Sequence, residues 1–103
     1  MDTDNLSNET YEAVILTAER FNHDLTLQFG CLVDECKDDD EYLLKAEQRI
    51  KKWLKSKYFD ELMDDIFFGN PPKRKDFENA LTDIMLKISK VRQIPIKERT
   101  FEF

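Results

Sequence analysis

The chain has 103 residues, a formal net charge of −6 and only 2 Gly and 3 Pro. Hydrophobic residues make up 41% and charged residues 37%, which excludes a low-complexity disordered chain and leaves room for one modest core, not two. The acidic opening MDTDNLSNET lacks the basic and apolar regions of a signal peptide, and no apolar run approaches the length of a membrane span. With two cysteines and no disulfide framework, the expected location is the cytoplasm, away from any membrane.

The periodicity predicts four helices and a tail within a single domain over 1–103. The first expected helix spans about residues 8–36. Tyr11, Val14, Ile15, Ala18, Phe21, Leu25, Phe29, Leu32 and Cys36 recur at three-four spacing along it. Ser7 or Asn8 is its expected cap, and Gly30 its weak point. A second stripe, Ala13, Leu16, Leu27 and Cys31, faces roughly the other way. A helix apolar on two sides is either central in its bundle or covered by a partner.

After the acidic run Asp38-Asp39-Asp40, a second helix is expected at about 40–56, with Tyr42, Leu43, Ala46, Ile50, Trp53 and Leu54 inward. A third, at about 59–68, carries Phe59, Leu62, Met63, Ile66 and Phe67 on a face rotated away from the second, so the chain is expected to break near Ser56–Tyr58. Gly69-Asn70-Pro71-Pro72 ends it, with Gly69 suited to a left-handed backbone. The fourth, at about 73–92, buries Phe77, Ala80, Leu81, Ile84, Met85, Ile88 and Val91. Residues 93–103 read as an extended tail, because Ile94 precedes a proline. The expected fold is therefore all-α, a small three- to four-helix bundle with a long first helix. An α+β alternative would need a partner strand for the tail.

Charge is segregated along the chain. Residues 1–41 hold 12 acidic and 2 basic side chains, whereas 42–103 hold 10 acidic and 14 basic. The positive excess peaks around Trp53, in AEQRIKKWLKSKYF. Lys45, Arg49, Lys52 and Lys55 fall opposite Ile50 and Leu54 on the helical wheel, a candidate anion surface joined by Lys73, Arg74 and Lys75 at the next helix start. The preferred reading of this face is a solvated surface with local ion pairs, balanced by the acidic first helix. The overall pI of about 4.8 argues against autonomous nucleic-acid binding.

Metal and catalytic signatures are missing from the sequence. His23 is the sole histidine, Glu19 precedes it by four residues rather than three, and Cys31 and Cys36 lack C-x-x-C spacing. DECKDDDEY has neither the glycine nor the terminal glutamate of an EF-hand. No phosphate loop or nucleophile elbow appears. The expectation is a non-enzymatic interaction or regulatory module without cofactor, binding a protein partner or a second copy of itself through Ala13, Leu16, Leu27, Cys31, Ile94, Ile96, Phe101 and Phe103. An acidic inhibitor of a basic enzyme belongs to the same class, with Asp38–Glu41 in its binding face. A nucleic-acid accessory role for the basic second helix is the alternative.

Overall fold

A computed structural model of the protein describes residues 6–101. Among them the fold is all-α, with five helices and no strand. Helix α1 covers 8–21 as three contiguous stretches, Asn8–Thr10, a π-helical Tyr11–Leu16 and Thr17–Phe21. It is followed by α2 (His23–Gly30), α3 (Asp39–Leu54), α4 (Phe59–Ile66) and α5 (Arg74–Arg92). Short 3-10 turns at Val33–Glu35 and Ile96–Glu98 complete the regular structure.

The long first helix expected over 8–36 is in fact two helices broken at Asn22. Asn22 adopts an extended backbone, and its side chain accepts the Asp24 N–H at 2.8 Å, capping α2. Asparagine can offer the backbone this local alternative to helix continuation. The apolar spacing runs unbroken from Phe21 to Leu25 because both helices serve one core, so periodicity alone conceals the break. Gly30 does not kink a helix; it is the last residue of α2. Within α1 the π stretch coincides with Thr17, whose hydroxyl donates to the Glu12 carbonyl at 3.1 Å.

The expected break between the second and third helices is present: α3 ends at Leu54 and α4 starts at Phe59. Leu54 itself is substantially exposed, contrary to its expected place in the core. Gly69 has φ +88°, the left-handed conformation its position called for.

Phe77, in the first turns of α5, joins the helices. Its ring lies 6.2 Å from Phe21 of α1, 6.2 Å from Trp53 of α3, 5.5 Å from Phe59 of α4 and 5.1 Å from Phe67. Such aromatic pairs add about 0.5–1.5 kcal/mol each beyond the area they bury. Trp53 also meets Phe29 edge-on at 5.7 Å, bringing α2 into the same cluster. Below this cluster Leu81, Ile84 and Ile88 continue the buried face of α5 against α1 and α3.

The second organising feature is polar. Asp39, the first residue of α3, has a fully buried side chain. Its Oδ1 accepts the Ser7 N–H at 2.9 Å. Its Oδ2 accepts the hydroxyls of Ser7 at 2.9 Å and Thr10 at 2.8 Å, and Arg99 Nη1 at 3.0 Å. Ser7 Oγ in turn accepts the Thr10 N–H, so the same side chain caps α1. Arg99 Nη1 also reaches Asp40 at 2.6 Å, and its Nε donates to the Ile94 carbonyl. Burial opposes the Arg99 charge, but the hydrogen bonds and charges of Asp40 and Asp39 outweigh it and raise the guanidinium pKa.

The segment after α5 is therefore not an extended tail. It turns through Ile96–Glu98, places Arg99 in the interior and pairs the Asn8 N–H with the Thr100 carbonyl at 2.7 Å. Among the described residues no buried side-chain nitrogen or oxygen lacks a partner.

Removing one member of a buried ion pair strands the other charge, which typically costs about 3–5 kcal/mol. Arg99→Ala is expected to lower stability by that amount in urea unfolding, and Lys97→Ala, on the exposed side of the same turn, by under about 0.5 kcal/mol. Equal small losses would show that the pair does not hold the chain ends.

Candidate functional site

The basic face of α3 and the end of α2 meet. Helix α2 ends with carbonyls that have no partner within the helix, the general condition of a C-terminus. Side chains of α3 supply donors for this region. Arg49 Nη1 donates to the Gln28 carbonyl at 3.0 Å, the buried Tyr42 hydroxyl to that of Phe29 at 2.9 Å, and Lys45 Nζ to Glu35 in the following 3-10 turn at 2.8 Å. Burial pushes the Tyr42 phenol far up, so it serves as a donor throughout the accessible pH range. Positive charge at a helix C-terminus is also favourable to its dipole. Part of the cationic excess around Trp53 is thus explained by the architecture.

Gln28, Leu32, Glu35, Lys45, Gln48, Arg49, Lys52 and Trp53 line an open cleft of about 550 Å³ at this junction. Three of the expected anion-surface residues converge there. Lys55 stands beyond it at the end of α3, and Lys73, Arg74 and Lys75 lie at the start of α5. Arg74 is engaged by Glu78 at 3.0 Å and lies 4.8 Å over the Phe59 ring.

The residues expected to form one apolar partner surface are dispersed. Ala13 is buried and Leu16 half-buried on α1. Ala13 and Ile94 come together in a cleft of about 310 Å³ between α1 and α5, rimmed by Glu9, Glu12, Arg20, Lys87 and Lys90. Leu27 and Cys31 are exposed one turn apart at α2, on a helix separate from α1. Ile96 is exposed, Phe101 is half-buried, and Phe103 lies outside the described residues.

The acidic run 38–41 is also largely engaged by partners within the chain, although only Asp39 is buried. Asp38 caps α3 by accepting the Glu41 N–H, Asp39 and Asp40 hold Arg99, and Glu41 accepts the Lys37 N–H and pairs with Lys45. A close group of free acids sits on α4, while Glu12, Glu19, Asp34, Glu35, Asp76 and Glu98 are exposed and without an ion pair elsewhere among the described residues. Asp60, Glu61, Asp64 and Asp65 are all exposed, and none forms an ion pair among the described residues. Asp60 and Glu61 suit the positive end of the helix dipole; Asp64 and Asp65 stand at its negative end, where carboxylates are unfavourable. Tyr58 and Phe68, 68% and 77% exposed, flank the helix on either side in sequence. A small cleft of about 220 Å³ opens between α4 and the Pro71-Pro72 segment, lined by Asp60, Met63, Asp64, both prolines and Arg74.

Among the described residues no group of three or more His, Cys, Asp or Glu is arranged to hold a metal ion, and no helix is long and apolar enough to cross a membrane. No known family matches the chain, and no curated protein or solved structure is detectably similar to it.

Two predictions follow from the local environments. Cys31 is exposed, whereas Cys36 is buried and burial pushes its thiol pKa up. With a disulfide reagent near pH 8, Cys31 should react at least about tenfold faster than Cys36, because the thiolate is the reactive form. Equal rates would mean that Cys36 is not shielded. Separately, Glu47 is held below the usual carboxylate range by its hydrogen bond from Lys51 and by Arg92 of α5, despite partial burial. A depressed folded-state pKa contributes stability that is present above the unfolded-state pKa and lost as pH falls through the folded one. Glu47→Gln should therefore flatten the fall in unfolding free energy between about pH 5 and pH 3.

Proposed function

We propose that the protein is a non-enzymatic interaction module whose α4 face receives a positively charged segment of a partner protein. One observation carries the reading: a single short helix combines four exposed, unpaired carboxylates with two highly exposed flanking aromatics. Local sequence choices that disagree with local stability, here Asp64 and Asp65 at a helix C-terminus, are characteristic of functional surfaces. The α4–proline cleft has the chemistry to take a lysine or arginine side chain. Met63, Pro71 and Pro72 suit the aliphatic stem, and Asp60 and Asp64 suit the charged head, while Arg74 on the same rim is neutralised by Glu78.

Tyr58 and Phe68 supply apolar anchor area of the kind that dominates interface energetics, while the carboxylates steer approach and select the partner's charge. The face is held in place from both sides. Phe59 and Phe67 are pinned by Phe77, and the Phe68 N–H donates to Asp24 Oδ2 at 3.0 Å. The basic helix α3 supports a nucleic-acid role less well, since the chain's net charge of −6 opposes a long polyanionic strand.

Affinity capture from the native source followed by titration of the purified partner tests this reading. The partner is expected to be basic, with affinity that falls as salt rises. Neutralising α4 (D60N, E61Q, D64N, D65N) or replacing Phe68→Ser should each weaken binding by about tenfold or more, whereas E12Q with E19Q should not. An α4-neutral variant that binds like the wild type, or a wild-type protein that retains no partner, would overturn the proposal.

A further inference from the structure

The cleft between α2 and α3 has features that helix capping does not account for. Lys45, Arg49 and Lys52 follow one another on one side of α3, and like charges at such spacing destabilise a helix. Capping uses one of the five Arg49 N–H donors and part of the Lys45 ammonium. Lys52 has no ion-pair partner among the described residues. The Gln28 carbonyl holds one end of the Arg49 guanidinium, so its remaining donors are presented in a fixed orientation, and preorganised donors lower the entropic cost of binding. The same cleft holds two carboxamides, Gln28 and Gln48, and its apolar lining is the narrow exposed edge of two core residues, Leu32 and Trp53, 3% and 7% exposed. At about 550 Å³ it lies within the range of small-molecule sites.

We propose that this cleft binds a small phosphomonoester bearing a planar ring, the chemistry of a nucleoside monophosphate. Arg49 and Lys52 take the phosphate, with Lys45 adding to the field. Guanidinium and ammonium groups supply the charge-assisted hydrogen bonds that phosphate oxygens favour. The Gln28 and Gln48 amides, each both donor and acceptor, read the polar edge of the ring, and the exposed edges of Leu32 and Trp53 meet its apolar rim. Glu35 lines the same cleft and opposes a second phosphate. The chain's net charge of −6 repels a polyanionic strand, so the occupant is a free small molecule. This inference rests on α2, α3 and the turn between them and is independent of the α4 face.

Trp53 is the only tryptophan, so its fluorescence reports on the cleft without a label. Adenosine monophosphate titrated at low salt is expected to give a saturable change matched by calorimetry. Adenosine and inorganic phosphate should each bind about tenfold more weakly or worse, because each lacks one half of the recognised group. Lys52→Gln and Arg49→Gln should likewise weaken binding by about tenfold. Circular dichroism checks that each variant is folded; Lys52 is exposed and its substitution leaves the α2 cap untouched, so it keeps the test valid if Arg49→Gln unfolds. Three results would overturn the proposal: no saturable change up to about 10 mM, adenosine binding as well as its monophosphate, or wild-type affinity in Lys52→Gln. A short oligodeoxyadenylate that binds more tightly than the mononucleotide would overturn the assignment to a free small molecule.

Discussion

The buried carboxylate of Asp39 is the point on which the chain closes. A charged group removed from water must be compensated on nearly every lone pair, and here the compensation comes from both ends of the protein. Ser7 and Thr10 bring the start of α1, Asp39 brings the start of α3, and Arg99 brings the segment after α5. Because Ser7 is at once the cap of α1 and a ligand of Asp39, the geometry of one helix start fixes that of another. The Phe77 cluster then works at a different level. It is non-directional burial that brings the five helices and Phe67 together, while the carboxylate determines how the chain ends meet them.

Opposite charges are used differently in the two halves of the protein. Cations of α3 are spent partly on carbonyls at the end of α2, where a helix needs donors, and partly on Glu41 and Glu47. Acids of the 38–41 run cap α3 and hold Arg99. What remains unneutralised after this internal use is therefore informative. It includes the four α4 carboxylates, close together on one short helix, and Lys52 with the unused donors of Arg49 in the cleft; the exposed Glu12, Glu19, Asp34, Asp76, Lys55, Lys57, Lys73 and Lys75 also form no ion pair among the described residues. Two proposals with opposite charge preference, on separate elements, arise from the same accounting.

Much of the core was legible in the sequence because a three-four spacing of apolar residues has few structural solutions. The inward faces of α3, α4 and α5, Leu54 excepted, and the break before Phe59 follow from it, and the left-handed Gly69 follows from its place ahead of two prolines. Asn22 escaped notice because its effect depends on a single side-chain hydrogen bond, while the apolar register across it stays in phase. Arg99 escaped because a lone arginine in an Ile/Pro-rich segment carries no sign of a partner 60 residues away. Of the candidate surfaces, the wheel put Lys45, Arg49, Lys52 and Lys55 on one face of α3, but Gln28 comes from α2 and Leu32 from the turn after it, and only folding places these two in the cleft with Lys45, Arg49 and Lys52. The acidity of α4 was visible as well, though nothing in the sequence distinguished it from the run at 38–41.

The sequence by itself determined the helical class, the inward faces and the separation of charge, since each depends on residues within a few turns of one another. The tertiary structure alone decided which charges are internal. Burial and partner geometry are long-range properties: Asp39 and Asp60 are the same residue type in similarly acidic surroundings, each near a helix start. One is sealed in by Ser7, Thr10 and Arg99, and the other faces solvent. The positive stretch around Trp53 divides in the same way, into donors that finish a neighbouring helix and donors left open to a ligand.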